Sequence, residues 1–365
     1  MKQILKVVGL IVLFTIAYLA LWPVPIDPQA WEAPANKGYV GDFQENDKLE
    51  KFTKLTMGEF SGPEAAIEMP NGDVVATSHE GWVVKWSPGA TEAEPLVDAG
   101  GRALGLDHDQ NGNIWLADAY IGLVKMSPDG NLETVLDEVD GIPLLYADDI
   151  AITPNGKMYF SDASTRFSAK KYGGTLAASL LDINEHSDNG RILEYDPVTG
   201  QSRTIMDELT FANGVASSPS GDFILVAETG EYRVHKYWLA GEKAGSSEVI
   251  IENLPGFPDN IHIGKNGRYW VGLTSPRSQI LDDLAGNTFM RKVIQRLPAF
   301  MRPNVVNYGL VFAIDENGNV LANLQSPSGS VYATTGVAET DEHIYVTSLT
   351  APFLAKYNKA DLGIE

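Results

Sequence analysis

The stretch DQNGNIWLADAYIGLVKMSPDG, residues 109–130, sets an Asn-Gly turn, an alternating strand that ends on Asp118, a second turn and a second strand in direct succession. Variants of it recur along the chain. They are MPNGDVVATSHEGWVVKWSPG from Met69, TPNGKMYFSDAS from Thr153, SPSGDFILVAETGEYRVHKYWLAG from Ser218, GKNGRYWVGLTS from Gly264 and TDEHIYVTSLTAPFLAKYNK from Thr340, six copies in all. The turn glycines stand at 72, 112, 156, 221 and 267, giving steps of 40, 44, 65 and 46 residues. That is the length of a four-stranded propeller blade, with insertions in the longer steps. Such units bury both faces only against neighbours, and six stacked radially leave short edges and an axial channel. The expectation is an all-β, six-bladed β-propeller. A β-sandwich fits less well, because sandwiches rarely exceed 250 residues and do not repeat internally. No Trp-Asp dipeptide marks a WD40 array.

Composition narrows the chemistry. The 365 residues are 44% hydrophobic, enough to build a large core. With 27 Lys and Arg against 48 Asp and Glu, the formal charge of -21 opposes binding to a phosphate backbone, so no nucleic-acid partner is expected. Zero cysteines exclude disulfides, thiolate catalysis and cysteine-ligated metals. The six histidines are too scattered for a zinc helix, and no nucleophile elbow, P-loop or dinucleotide fingerprint occurs. Hard-cation chemistry with oxygen ligands is what survives.

The amino terminus reads as a membrane segment. Val7 to Trp22 carries no charge, and from Ile4 the apolar stretch nearly reaches the ~20 residues that cross a bilayer. No clear cleavage site follows it, which favours an uncleaved transmembrane helix over 1–22. Lys2 and Lys6 before it and Asp27 and Glu32 after it put the N-terminus in the cytoplasm and the rest outside. The lack of any Asn-x-Ser/Thr acceptor favours a bacterial periplasm over a eukaryotic lumen. Residues 23–56, with four prolines and a polar run, read as a tether, and 57–365 as the propeller. A helical insertion is expected over about 278–302. Its apolar residues Ile280, Leu281, Leu284, Phe289, Val293, Ile294, Leu297 and Met301 recur near helical spacing, and Arg291, Lys292, Arg296 and Arg302 form a basic edge, expected to be the solvated side of a helix capping the propeller, the alternative being an edge turned to lipid headgroups.

Propeller sites lie where inner strands begin, and four places share that phase: Glu64, the Asp148-Asp149 pair, Asn213, and Asp259-Asn260, each one strand ahead of a repeat turn. Carboxylates and amides from four blades would converge on the axis as the oxygen set that Ca²⁺ takes. Asp149, adjacent to Asp148, should point the other way. The run from Asp107 to Gly112 fits the front of a calcium loop, but Asp118 stands where Glu is expected at its end, and the repeat phase accounts for Asn111-Gly112 as a hairpin turn without any ion.

Several of these motifs in order, YADDIAITPNGKMYFSDAST, GRILEYDPVTG, FANGVASSPSGDFILVAETGEYRVHKYWLAG, LPGFPDNIHIGKNGRYWVGL and IYVTSLTAPFLAKY, closely resemble the strictosidine synthase-like family. The likeness is to its membrane-anchored, adipocyte plasma membrane-associated protein-like branch. The wider superfamily holds gluconolactonases and paraoxonases. The resemblance implies an axial Ca²⁺ or other hard divalent cation on Glu64, Asp148, Asn213 and Asp259, with Asn260 beside them. Asp148 stands where that pattern usually has Asn, so three carboxylates face one dication. Leu104 stands where the paraoxonase histidine would be, which argues against a histidine dyad. Glu339 occupies the place of the strictosidine synthase catalytic glutamate.

The expected function is metal-dependent hydrolysis of a small ester or lactone, with Asp259 as general base. A strictosidine synthase-like condensation using Glu339, and a non-catalytic binding propeller at the cell surface, are the alternatives.

Overall fold

The computed structural model describes residues 1–365, and its main strands form six four-stranded antiparallel sheets. The inner strands are Ala66–Glu68, Ala103–His108, Ala147–Ile152, Ala212–Ser217, Gly256–Ile263 and Thr334–Glu339, heading blades 1 to 6. The six-bladed propeller read from the repeats is the fold of the chain.

The core lies between blades, and alternation along the strands builds it. Phe223–Glu228, the second strand of blade 4, is buried throughout. Phe223, Leu225 and Ala227 pack with Ile261, Val271 and Phe312 of blade 5, while Ile224 and Val226 pack with Ala151, Tyr159 and Ile192 of blade 3. Successive side chains point to opposite faces, so one strand serves two interfaces.

The ring closes between distant parts of the chain. Thr53–Thr56, the last four residues of the stretch read as a tether, form the outer strand of blade 6, with Thr53 opposite Lys356 and Thr56 opposite Phe353. Leu55 is buried with Trp86, Tyr345 and Leu354, joining blade 6 to blade 1. Without this strand, Phe353–Asn358 would present a bare edge.

The stretch between the apolar helix and that strand is a docked strap. The Asp27 and Gln29 amides donate to Glu185 at 2.6 and 2.9 Å. The Trp31 ring stacks on His186 with centroids 3.9 Å apart. Arg277 donates to the Pro34 carbonyl at 2.6 Å, Leu49 is fully buried, and Glu50 accepts from Ser326, Ser328 and Ser330.

The turn that began the sequence reading is held by its own aspartate. Asp109 accepts the Asn111 and Asn113 amides at 2.8 and 3.0 Å and the Asn113 side chain at 2.7 Å, and Asp315 holds Asn317 and Asn319 in the same way. Asp107 accepts from the Ile152 and His108 amides. The segment that could have opened a calcium loop is therefore an Asx-stapled hairpin.

Helices are few. Lys2–Leu21 is long and apolar enough to cross a membrane, and none of it is buried. Thr175–Glu185 is inserted in blade 3, and Gln279–Asp283 and Thr288–Arg296 in blade 5, followed by a 3₁₀ turn at Ala299–Met301. The blade 5 insertion is helical as expected, but its basic edge is not free. Arg291 and Arg296 are only 2% and 8% exposed. Arg291 donates to the carbonyls of Gln29 and Ala285, and Arg296 to those of Leu19 and Trp22 at 2.9 and 2.5 Å. Carbonyls at the end of a helix lack partners in that helix, and Arg296 supplies one.

If the strap belongs to the fold, Leu49→Ala should cost about 2–4 kcal/mol of stability. Val40→Ala, at a strap position that is 54% exposed, should stay within about 0.5 kcal/mol. Urea unfolding of the two variants measures the difference.

Candidate active site in the axial cavity

The inner strands share one irregularity. In blade 3, Ala147 pairs with Asp162 and Ile150 with Phe160, so three steps on the inner strand match two on its partner. The same extra residue occurs between Ala103 and Leu106, Ala212 and Val215, Pro258 and Ile261, and Thr334 and Val337. A bulge of this kind turns a side chain away from the ladder. The bulged pairs are Leu104-Gly105, Asp148-Asp149, Asn213-Gly214, Asp259-Asn260 and Thr335-Gly336. Blade 1 places Glu64 just ahead of its inner strand. The second member is often glycine because the strands nearly touch at the axis. A Cβ on Gly214 would lie 2.2 Å from the Ile261 nitrogen, and one on Gly105 would lie 2.5 Å from the Asp149 Cα.

Three of the first members, Asp148, Asn213 and Asp259, line a cavity of about 480 Å³ at the mouth where the inner strands begin, whereas Leu104 packs in a hydrophobic cluster and the Thr335 hydroxyl bonds Thr347 and the Glu64 carbonyl. Glu64, Asp148, Asn213 and Asp259 all line it, each at most 4% exposed. Tyr146, Phe211 and Phe257 stand beside them, and Leu176, Leu180, Ile280 and Val306 from the insertions complete an apolar wall. Asp149 does face elsewhere, accepting the Val215 amide of the next blade at 2.9 Å.

Charge dominates the floor. Burial and the neighbouring acids push Asp148 and Asp259 well above the ordinary carboxylate range, and burial raises Glu64 against the opposing pull of Arg102. Arg102 is the one cation among them, donating to Glu64 at 3.0 Å and to the carbonyls of Ser78 and Ala103. Sequence reading passed over it, although its position immediately before an inner strand was a signal. Removing either partner of such a buried pair leaves a stranded charge.

Oxygen atoms in this floor lack partners. Asp148 Oδ1 and Asn213 Oδ1 are buried and accept no hydrogen bond. The three carboxylates alone do not make a compact metal-holding cluster. With Asn213 among them, the donors are all oxygen and fit a hard cation in chemistry. Asn260 stands apart from the cavity lining. Its side-chain amide donates to the Glu64 carbonyl at 3.0 Å, and the Thr335 hydroxyl reaches the same carbonyl at 2.5 Å, so two other blades fix Glu64 in place.

Glu339 is not brought to this cavity. It ends its inner strand at the opposite mouth, beside a second cavity that also holds Asp107, His108 and His262. Its carboxylate accepts from Arg268 at 2.5 Å and from the Trp270 indole at 2.7 Å, and Lys359 lies 2.7 Å away. These partners hold Glu339 below the usual glutamate range despite its burial.

The model of the strictosidine synthase family matches residues 148–242, and that of the strictosidine synthase-like N-terminal region matches residues 41–86. The adipocyte plasma membrane-associated protein of Bos taurus is 33% identical over 366 aligned positions, which cover 93% of this chain and 86% of that protein. The chain belongs to the strictosidine synthase-like family. Strictosidine synthase-like protein 3 of Arabidopsis thaliana, another relative, is 36% identical over 270 positions, 72% of this chain and 67% of that protein. Among solved structures, a gluconolactonase of Xanthomonas campestris superposes with a TM-score of 0.61 at 14% identity, covering 93% of this chain and 99% of that one. Regucalcin of Agrobacterium tumefaciens, a calcium-binding protein, does so with a TM-score of 0.59 at 15% identity, covering 86% and 94%. At such identities the likeness is one of fold. Family membership and the apolar N-terminal helix together associate the chain with a membrane.

The helix that walls the cavity is seated through Asp182, which accepts from Ser164 at 2.6 Å and Asn189 at 3.3 Å and is pushed up to about 7 by burial. An unfolded aspartate ionises near 4. From about pH 4 to 7 the unfolded chain therefore loses this proton while the folded chain keeps it, so stability falls as pH rises and the loss is complete above 7. Asp182→Asn should melt like the parent near pH 4 and several degrees higher at pH 8, in thermal scans across that range.

Proposed function

We propose that the chain is a hydrolase of small esters or lactones, dependent on a hard divalent cation, acting on the extracytoplasmic side of its membrane. The observation that carries this reading is the set of Glu64, Asp148, Asn213 and Asp259, delivered from four blades to the floor of an apolar cavity with unpartnered oxygens among them. Those four residues would hold the cation, Ca²⁺ by the oxygen-only donor set, and it would supply positive charge at the substrate carbonyl oxygen.

The remaining work falls to the chain. Arg102 offsets one of the three acids and orients Glu64 through a 3.0 Å contact. The apolar wall holds the acyl or ring portion and excludes bulk water. Asp259 takes a proton from the attacking water as its oxygen bonds to the acyl carbon. The bond from acyl carbon to alcohol oxygen then breaks, and the departing oxygen receives that proton. Ester and water become acid and alcohol, with no redox partner needed. Lys2 and Lys6 ahead of the apolar helix support the assigned side, and the missing glycosylation acceptors support a periplasm. Glu339, saturated by Arg268, Lys359 and Trp270, serves in this reading as an anchor for blade 6.

Calcium at 100 times its dissociation constant should stabilise the chain by about 2.7 kcal/mol, and EDTA should reverse this. Asp259→Asn, which keeps an oxygen donor but no base, should lower turnover of aryl esters or lactones by ~100-fold or more while keeping part of the calcium-induced rise in melting temperature. Chelation that alters neither melting nor turnover would sink the metal-dependent reading.

A further inference from the structure

The end of the membrane helix and the mouth of the cavity are built from the same elements. Tyr18 donates to the Arg296 carbonyl at 3.1 Å, Arg296 returns bonds to Leu19 and Trp22, and Lys292 pairs with Asp27 at 2.7 Å. The strap then continues across the helices that wall the cavity, so the propeller cannot swing freely about its anchor. The end of the apolar helix and the cavity mouth therefore share the blade 5 insertion.

The face bearing the cavity mouth is unusually apolar. Phe300 is 88% exposed, Met301, Ile280 and Val306 are each more than half exposed, and Phe289 stands 52% exposed on Thr288–Arg296. In a chain with 48 acids, none of the nine residues from Arg296 to Asn304 is acidic. A water-facing surface has little use for such a cluster, whereas an interfacial one does.

A second feature links the two. A groove of about 330 Å³ is bounded at one end by Pro25, three residues beyond Trp22, and shares Leu180, Ile183, Leu281 and Pro303 with the cavity. Its remaining walls include Tyr172, Ala177, Ile294 and Ala299. A largely apolar groove near the foot of the membrane helix thus shares a wall with the cavity that holds the carboxylate floor.

We infer that the cavity mouth rests on the bilayer surface and that the groove takes the hydrocarbon tail of a substrate drawn from the lipid phase. The substrate class is then an ester or lactone with a long alkyl or acyl chain. That class rests on the hydrolase reading above; the membrane-resting face and the tail groove do not.

The cysteine-free chain permits a direct test. Full-length protein is reconstituted in vesicles of phosphatidylcholine and phosphatidylglycerol and spin-labelled at F300C, M301C or, as the control on a turn of the opposite face, V198C. Labels at 300 and 301 should be more accessible to oxygen than to a water-soluble nickel chelate, and the label at 198 the reverse. Equal chelate access at all three positions would overturn the membrane-resting face.

Ala177→Trp and Ala299→Trp fill the groove from exposed positions outside the axial cavity. Each should weaken binding of a dansylated undecanoate probe by about tenfold or more, a readout that needs no turnover. Unchanged probe binding would overturn the groove. In p-nitrophenyl esters the same variants should lower kcat/KM for the dodecanoate by a similar factor while keeping the acetate within twofold. An equal fall for both esters would overturn the tail assignment. If no ester is hydrolysed, the hydrolase reading and its substrate class fall, and labels and probe still decide the face and the groove.

Discussion

One extra residue in each of five inner strands determines what the axis of this propeller can do. Strands that converge on an axis have no room for side chains on their inner edge, and the glycines at 105, 214 and 336 show how closely they approach. The bulge resolves that conflict, because in blades 3, 4 and 5 it releases one side chain toward the cavity and leaves its neighbour against the next strand. Asp148 and Asp149 illustrate the division. The first lines the cavity, and the second accepts an amide from blade 4. Shifting a bulge by one residue would exchange their roles.

Much of this was legible in the sequence. The Asn-Gly and related turns at blade-length intervals carry the fold, because a hairpin needs a positive φ at a defined place and few residues accept it. The phase shared by Glu64, Asp148, Asn213 and Asp259 was legible for the same reason, since blade spacing maps directly onto position around the axis. The bulges were not, because an extra residue in a strand changes pairing without changing composition. Arg102 was missed since a lone arginine has no period, and its meaning depends on Glu64 lying across a blade boundary.

The strap and the blade 5 insertion show where composition misleads. A stretch with four prolines and a polar run looks like a tether, yet its backbone is engaged by Glu185, Arg277 and Arg291, groups more than 130 residues away along the chain. Arg291 and Arg296 look like a basic edge, but a guanidinium with five donors suits uncapped carbonyls as well as phosphates. Charge on a helical wheel says which side chains are polar and leaves open what they meet.

Closure by Thr53–Thr56 also sets an order of events during synthesis. The strand that completes blade 6 leaves the ribosome early, and its partner Phe353–Asn358 follows about 300 residues later. At ~5–20 residues per second that is roughly 15–60 s. Through that interval blades 1 to 5 can stack, but the ring stays an open crescent with an unpaired edge, moored near a lipid surface by its first helix. A growing chain of this design passes through a long aggregation-sensitive window that ends only when Phe353–Asn358 emerges to pair with Thr53–Thr56.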